Sequence, residues 1–233
     1  MKVSLILKNC NLVNEGEIKP VDIAITNDRI EQISNSINCE ADQVIDCGGK
    51  YVAPGIIDDQ VHFRDPGLTE KGDIRSESLA AVHAGVTSTF DMPNVNPNMT
   101  TMELLAERNQ LGAEKSWTNY SYYFGAMETN LEEIKKLVTS KTKMIAITHI
   151  SNVTGAVLPI TKIIDLAKEK NIPVLIDGTQ GAPHSKIDMQ KIGCDFYAIS
   201  CHKMYGPTGL GGLYGQKKWL EQLPPYQGGG GMI

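Results

Sequence analysis

The chain has no run of five or more basic residues, and with 22 Lys and Arg against 27 Asp and Glu its formal charge is -5. That balance excludes a nucleic-acid footprint and argues against an anionic membrane as a partner. No segment reaches the length of a membrane span, and the apolar stretch in MKVSLILKNCNLV is too short for a secretory signal. C-x-x-C spacing is missing too. The five cysteines (Cys10, Cys39, Cys47, Cys194 and Cys201) are odd in number, which excludes a disulfide framework and a cysteine zinc site and leaves reduced thiols of a cytoplasmic protein. There is no internal repeat, and no low-complexity segment apart from the closing glycine run. The glycine-rich GPTGLGGLYG contains neither G-x-x-x-x-G-K-[ST] nor a G-x-G-x-x-G that opens a helix, so a nucleotide loop is excluded. Its glycines are expected to allow close backbone approach in a turn.

What is present suits an ordinary globular protein of 233 residues, 41% hydrophobic and 21% charged, long enough to bury a core. Residues 1–54 alternate in short β-like runs punctuated by Asn, Asp and Gly, which predicts a small β-subdomain. From 55 the rhythm becomes strand, helix, strand. GIIDDQVHF, TSTFDMP and NYSYYFGA read as strands, with DIRSESLAAVHAGV and TMELLAERNQLGAEKS as helices between them. The helix NLEEIKKLVTS, the strand KMIAITHIS, the helix ITKIIDLAKEKN and the strands IPVLIDG and DFYAIS follow. The fold class is α/β with parallel sheet.

Two polar clusters interrupt this pattern. In GIIDDQVHFRDPG, His62 ends a strand beside Arg64 and before a Pro-Gly turn, on the face where barrel enzymes place their chemistry. The second cluster spreads over two strand ends. IPVLIDGTQ finishes on Asp177 with Gln180 beyond it, and FYAIS finishes on Ser200, followed by Cys201, His202 and Lys203. A carboxylate, a hydroxyl, an imidazole and an amine are the groups a pyridoxal 5'-phosphate (PLP) site requires. Carboxylate and lysine, 26 residues apart at the ends of separate strands, aim into one crevice. A solvated lysine at a strand end accounts for Lys203 as well.

The motifs GIIDDQVHFRDPG and GVTSTFDMPNVNP resemble the first two barrel strands of a dihydroorotase of the amidohydrolase superfamily, over residues 1 to about 138. The resemblance implies a β-subdomain (1–54) and a partial (β/α) barrel (55–138). It also implies a zinc-dependent opening of dihydroorotate to carbamoyl aspartate, or the reverse, in pyrimidine biosynthesis. Carried over singly, His62 is a metal histidine, and Arg64 and Asn94 grip the substrate carboxylate. Gln60 stands where a first metal histidine is expected, and a neutral amide ligates poorly. His83, inside a helix, is read as structural.

AITHISNVTG, VLIDGTQ, DFYAISCHKMYGPTGLGGLYG and GGGGMI resemble a class V aminotransferase-type cysteine desulfurase over about 139–233. This implies part of a PLP-transferase type I sheet with cysteine as substrate. Lys203 is then the Schiff-base lysine and Asp177 the partner of the pyridinium. Gln180 faces the phenolic oxygen, Ser200 and His202 grip the phosphate, and Asn152 meets the substrate carboxylate. His149 and His184 are read as structural, and Cys201 is not the sulfur carrier. That family builds its site across a dimer, so the resemblance admits a homodimer. Its nucleophilic cysteine and substrate arginine lie beyond GGGGMI, and its ring-stacking histidine lies where this chain has dihydroorotase-like sequence.

The chain therefore reads as a chimera joined near NLEEIKKLVTSKTK and cut short after GGGGMI. Three expectations follow. The first is a desulfurase-like fragment incomplete for turnover, the second a metal-dependent cyclic amidohydrolase, the third a non-functional hybrid. Each incomplete sheet should leave strand edges exposed unless the two merge.

Overall fold

The computed structural model describes residues 2–225; the GGGGMI run, read above as the mark of truncation, lies outside the described residues. The α/β class holds, with helices and several separate sheets. The chain forms two compact units. One comprises Met1–Asp59, Ser78–Thr89 and Trp117–Asn119, the other Gln60–Glu77, Phe90–Ser116 and Tyr120–Ile233.

The first unit contains β1 (Lys2–Asn14), β2 (Glu17–Thr26), β3 (Arg29–Ser34), β4 (Glu40–Asp46) and β5 (Tyr51–Val52). They form one sheet of order β3-β2-β1-β4, with β5 also paired to β1. Glu15 and Gly16 link β1 to β2 with φ of 50° and 77°. Positive φ at both central residues matches the twist of an antiparallel pair, which is why glycine serves there. Four consecutive residues of β2, Val21 to Ala24, are buried. Successive strand residues face opposite sides, so this strand supplies two cores: Ala24 packs with Val3, Ile6 and Ile37, while Val21 and Ile23 pack with Cys10 and Cys47. Asp22, buried between them, accepts the N–H groups of Asn9 and Ile37, which hold its carboxyl below the usual carboxylate range.

A three-stranded sheet follows, in the order β6 (Ile56–Val61), β7 (Val86–Asp91), β8 (Asn119–Tyr122), with α1 (Ile74–His83) and α2 (Met102–Lys115) as the crossovers. The expected strands and helices of residues 55–126 are all found. Strand β6 lies at the sheet edge, and its Ile56 and Ile57 are 57% and 64% exposed, as an unclosed sheet requires. Within the second unit, Arg108 of α2 donates to the Asp91 carboxylate at the end of β7 and to the Met92 carbonyl, and its guanidinium lies over the Tyr122 ring. Both charged side chains are almost wholly buried. Burial pushes the Asp91 carboxyl up, against the pull of Arg108 and the Phe63 N–H.

The remaining elements are α3 (Leu131–Leu137), β9 (Ile145–Thr148), α4 (Ile160–Glu169), β10 (Val174–Asp177), α5 (Gly181–His184), α6 (Met189–Ile192), β11 (Phe196–Ser200), β12 (Gly211–Gly215) and α7 (Lys217–Leu220). Their sheet has the order β12-β11-β10-β9 and stays separate from the three-stranded one. Strands β9, β10 and β11 run parallel and β12 antiparallel to β11. The segment expected as a glycine turn is thus partly strand, because Leu213 and Tyr214 pair with Ala198 and Tyr197.

The register sorts the side chains. Ile147, Ile176 and Tyr197 form one row, and that face carries the core with Ile160, Ile164 and Ala167 of α4. Each fully buried aliphatic there contributes about 1.5–3 kcal/mol. Thr148, Asp177 and Ala198 form the next row, on the opposite face, where half-buried residues predominate. At the foot of β11, Asp195 accepts from Val174 N–H, the Trp219 indole N–H and Lys218, tying β10, β11 and α7 together. Burial alone would push the Asp195 carboxyl up, but these donors outweigh it and hold it below its ordinary value of 3.8.

Two outcomes are expected. Arg108→Leu leaves Asp91 buried without its counter-charge and should cost about 3–5 kcal/mol in urea unfolding, with much of that loss absent when Asp91→Asn is added. For Asp195 the depressed folded value means that its stabilisation is complete above pH 3.8 and is lost as pH falls through the lower folded value. Asp195→Asn should therefore lower the melting temperature at neutral pH and flatten its decline in that acid range.

Candidate functional site

The carboxyl ends of β9, β10 and β11 lie at one edge of the sheet, since all three strands are parallel. Each end passes directly into a tight turn. After β9 the Ser151 hydroxyl accepts the N–H groups of Val153 and Thr154, and Ser151 N–H reaches Ala156, leaving Asn152 exposed at the tip. After β10, Asp177 Oδ1 accepts both the Thr179 N–H at 3.0 Å and the Thr179 hydroxyl at 2.7 Å. Its second oxygen, Oδ2, has no partner among the described residues. Gln180 follows, half-buried, at the start of α5.

After β11 the chain curls into a single 3-10 turn, Cys201–Lys203. The Ser200 hydroxyl and His202 Nδ1 lie 2.8 Å apart in a hydrogen bond. The N–H groups of Met204 and Gly206 both return to the Cys201 carbonyl, so the loop is closed on itself. Lys203 is half-buried, and no acidic side chain pairs with it among the described residues. Register puts Ser200 two residues past Ala198, hence on the same sheet face as Asp177. One face and one edge thus present a carboxylate with an open oxygen and a hydroxyl hydrogen-bonded to an imidazole, and a half-buried lysine follows in the next turn. That donor set fits the phosphate and the ring nitrogen of PLP.

One contact was not legible in the sequence. His149, taken there as structural, shares a hydrogen bond of 2.9 Å between its Nδ1 and the hydroxyl of the buried Tyr197. The partners are 48 residues apart, so no local signal could have shown the contact. Burial pulls the His149 imidazole below its ordinary value. His184 and His202 are exposed, and Cys201 is half-buried.

The first polar cluster is arranged differently. His62 Nδ1 and Asn94 Oδ1 are 2.9 Å apart, so the two loops expected to share a site do meet. Asn96 N–H donates to the Pro66 carbonyl, and Met92 N–H to Val61, zipping the loops together. Arg64, half-buried, adopts φ of 66°, and its carbonyl accepts the Leu68 N–H. A small cleft of about 160 Å³ beside these loops is lined by Pro66, Val95, Met99, Leu104, Arg108 and Leu111 among others, and His62 is not among them. No group of three or more His, Cys, Asp or Glu side chains able to hold a metal occurs among the described residues. All five cysteines are free, and no described helix is long and apolar enough to cross a membrane.

Comparison with known proteins finds relatives of two kinds. The family model for Aminotransferase class-V matches residues 110–233. A probable cysteine desulfurase of Halalkalibacterium halodurans is 50% identical over 103 residues, 44% of this chain and 25% of that protein. The cysteine desulfurase of Wigglesworthia glossinidia brevipalpis is 52% identical over 102 residues, 43% of this chain and 25% of that protein. The chain therefore spans about a quarter of the length of these curated relatives. Among solved structures, the L-hydantoinase (dihydropyrimidinase) from Arthrobacter aurescens superposes with a TM-score of 0.64 at 26% identity, covering 75% of this chain and 40% of that one. A dihydropyrimidinase from Brevibacillus agri shares the fold, with a TM-score of 0.61 at 20% identity over 75% of this chain and 40% of its own. Because the match of 110–233 takes in more than half of its residues, the chain belongs to the class-V aminotransferase family.

Proposed function

We propose that the sheet β12-β11-β10-β9 holds PLP and serves chemistry of the cysteine-desulfurase kind, with cysteine as the amino-acid substrate. The observation that carries this reading is the common edge and face of Asp177 and Ser200 on neighbouring parallel strands, with His202 and Lys203 in the next turn. About half-identity to curated cysteine desulfurases over this segment supports it.

The roles follow from the chemistry of each group. Asp177 keeps the ring nitrogen protonated through its open oxygen, while Thr179 fixes the other oxygen and so the carboxylate's orientation. Ser200 and His202 donate to the phosphate. Lys203 Nζ would hold the cofactor and would carry protons to and from substrate. Gln180 would hold the phenolic oxygen, and Asn152, at its exposed tip, would take the substrate carboxylate. When bound, PLP supplies the electron sink that lets bonds at the substrate's α-carbon break.

We also infer that the chain has two origins, with a dihydroorotase-type front to about residue 138. The hydantoinase likeness at 26% identity supports a cyclic-amidohydrolase ancestry for that front. The donors around His62 do not fit zinc, however: a neutral Gln60 stands two residues before it, and no group of three or more His, Cys, Asp or Glu side chains able to hold a metal exists among the described residues. No hydrolytic step is therefore derived.

The test is optical. Titrating the purified chain with PLP should produce a protein-bound visible absorption band that Lys203→Ala abolishes. An equal band in the variant would contradict the assignment of Lys203. Asp177→Asn should leave the band but weaken cofactor affinity by about tenfold or more, as loss of a charge-assisted hydrogen bond predicts.

A further inference from the structure

We propose that His149 and Tyr197 form a hydrogen-bonded positioning pair that buttresses the turn 178–181, and thereby sets where Asp177 and Gln180 stand. The inference rests on the PLP reading of those two residues and adds to it a pair that touches neither cofactor nor substrate.

The strand register supplies the first reason. Gly178 is two residues past Ile176, so it lies over the row that holds Tyr197. A Cβ built on Gly178 would stand 1.8 Å from the Tyr197 ring, and one on Gly181 would stand 2.4 Å from His149 Nδ1 and 2.8 Å from the Tyr197 hydroxyl. The backbone of the turn therefore rests directly on the phenol and the imidazole, which is why both positions are glycine. Only the bare backbone fits.

The second reason is that this support is itself fixed. Tyr197 is fully buried, and the His149 ring meets it edge-on with centroids 6.0 Å apart. Their hydrogen bond satisfies a buried hydroxyl that would otherwise cost free energy, so neither ring can turn away cheaply. Backbone bonds close the arrangement. His149 N–H donates to the Asp177 carbonyl, Gly178 N–H to Ala198, and Ala182 N–H to Gly178. His149 thus holds the strand end through its main chain and the following turn through its side chain. Asp177 projects to the opposite face, so its position depends on this backing without contact between the side chains.

Amide hydrogen exchange on the 233-residue chain tests the pair directly. In Tyr197→Phe and in His149→Ala, the Gly178 and Ala182 amides should exchange about tenfold faster, while Val174, anchored to Asp195, should not change. His149→Gln, which retains a hydrogen-bonding side chain, should recover most of the protection. PLP affinity should fall about tenfold in the first two variants and return in the third. Unchanged exchange at Gly178 and Ala182 in both Tyr197→Phe and His149→Ala overturns the proposal. Faster exchange with unaltered PLP affinity overturns its link to the cofactor. If the unmodified chain takes up no PLP, the functional reading fails, and the exchange data still decide whether the pair holds the turn.

Discussion

In-register parallel pairing of β10 with β11 is the constraint on which the candidate site depends. Aligning Asp177 with Ala198 puts the carboxylate and Ser200 on one face, at one edge, without any direct bond between them. A slip of one residue would send Asp177 to the face occupied by Ile176 and Tyr197, where an unpaired carboxylate could not be tolerated. The register is enforced from below by Asp195, which joins β10, β11 and α7, and from the side by the apolar row packed on α4.

The same sheet is lopsided in its covering. Helix α4 buries one face with Ile160, Ile164 and Ala167. On the other face Phe196 and Trp219 pack near the foot of β11, while Asp177, Ala198 and Ser200 remain half-buried nearer the strand ends. Parallel sheets are ordinarily covered on both faces. Here the less covered face carries the polar groups, and the well-packed face supplies the rigidity, through Tyr197 and His149, that holds the turn behind them.

Much of this was legible in the sequence, because alternation and helical period report burial locally. The strands of the β-subdomain, the crossovers α1 and α2, and β9, α4, β10 and β11 lie where their apolar patterns put them, whereas HSKIDMQKIGC, expected as a plain connection, contains the short helix α6. GLGGLYG was not legible as a strand: glycines signal turns, and only pairing with Tyr197 and Ala198 makes this stretch extended. The sequence carried no signal for Arg108, which is 1% exposed because Asp91, 17 residues earlier, draws it inward. His149 looked inert for the same reason, its partner lying far along the chain. The motif residues Asp177, Ser200, His202 and Lys203 were legible by chemistry and by family resemblance. That Asp177 and Ser200 share one face came from the register.

The most direct measurement is the electron density of the chain crystallised with PLP. The account predicts the cofactor's phosphate within hydrogen-bonding distance of Ser200 and His202, its ring nitrogen against Asp177, and continuous density to Lys203. Cofactor bound elsewhere, or a β10–β11 register that turns Asp177 toward α4, would contradict it.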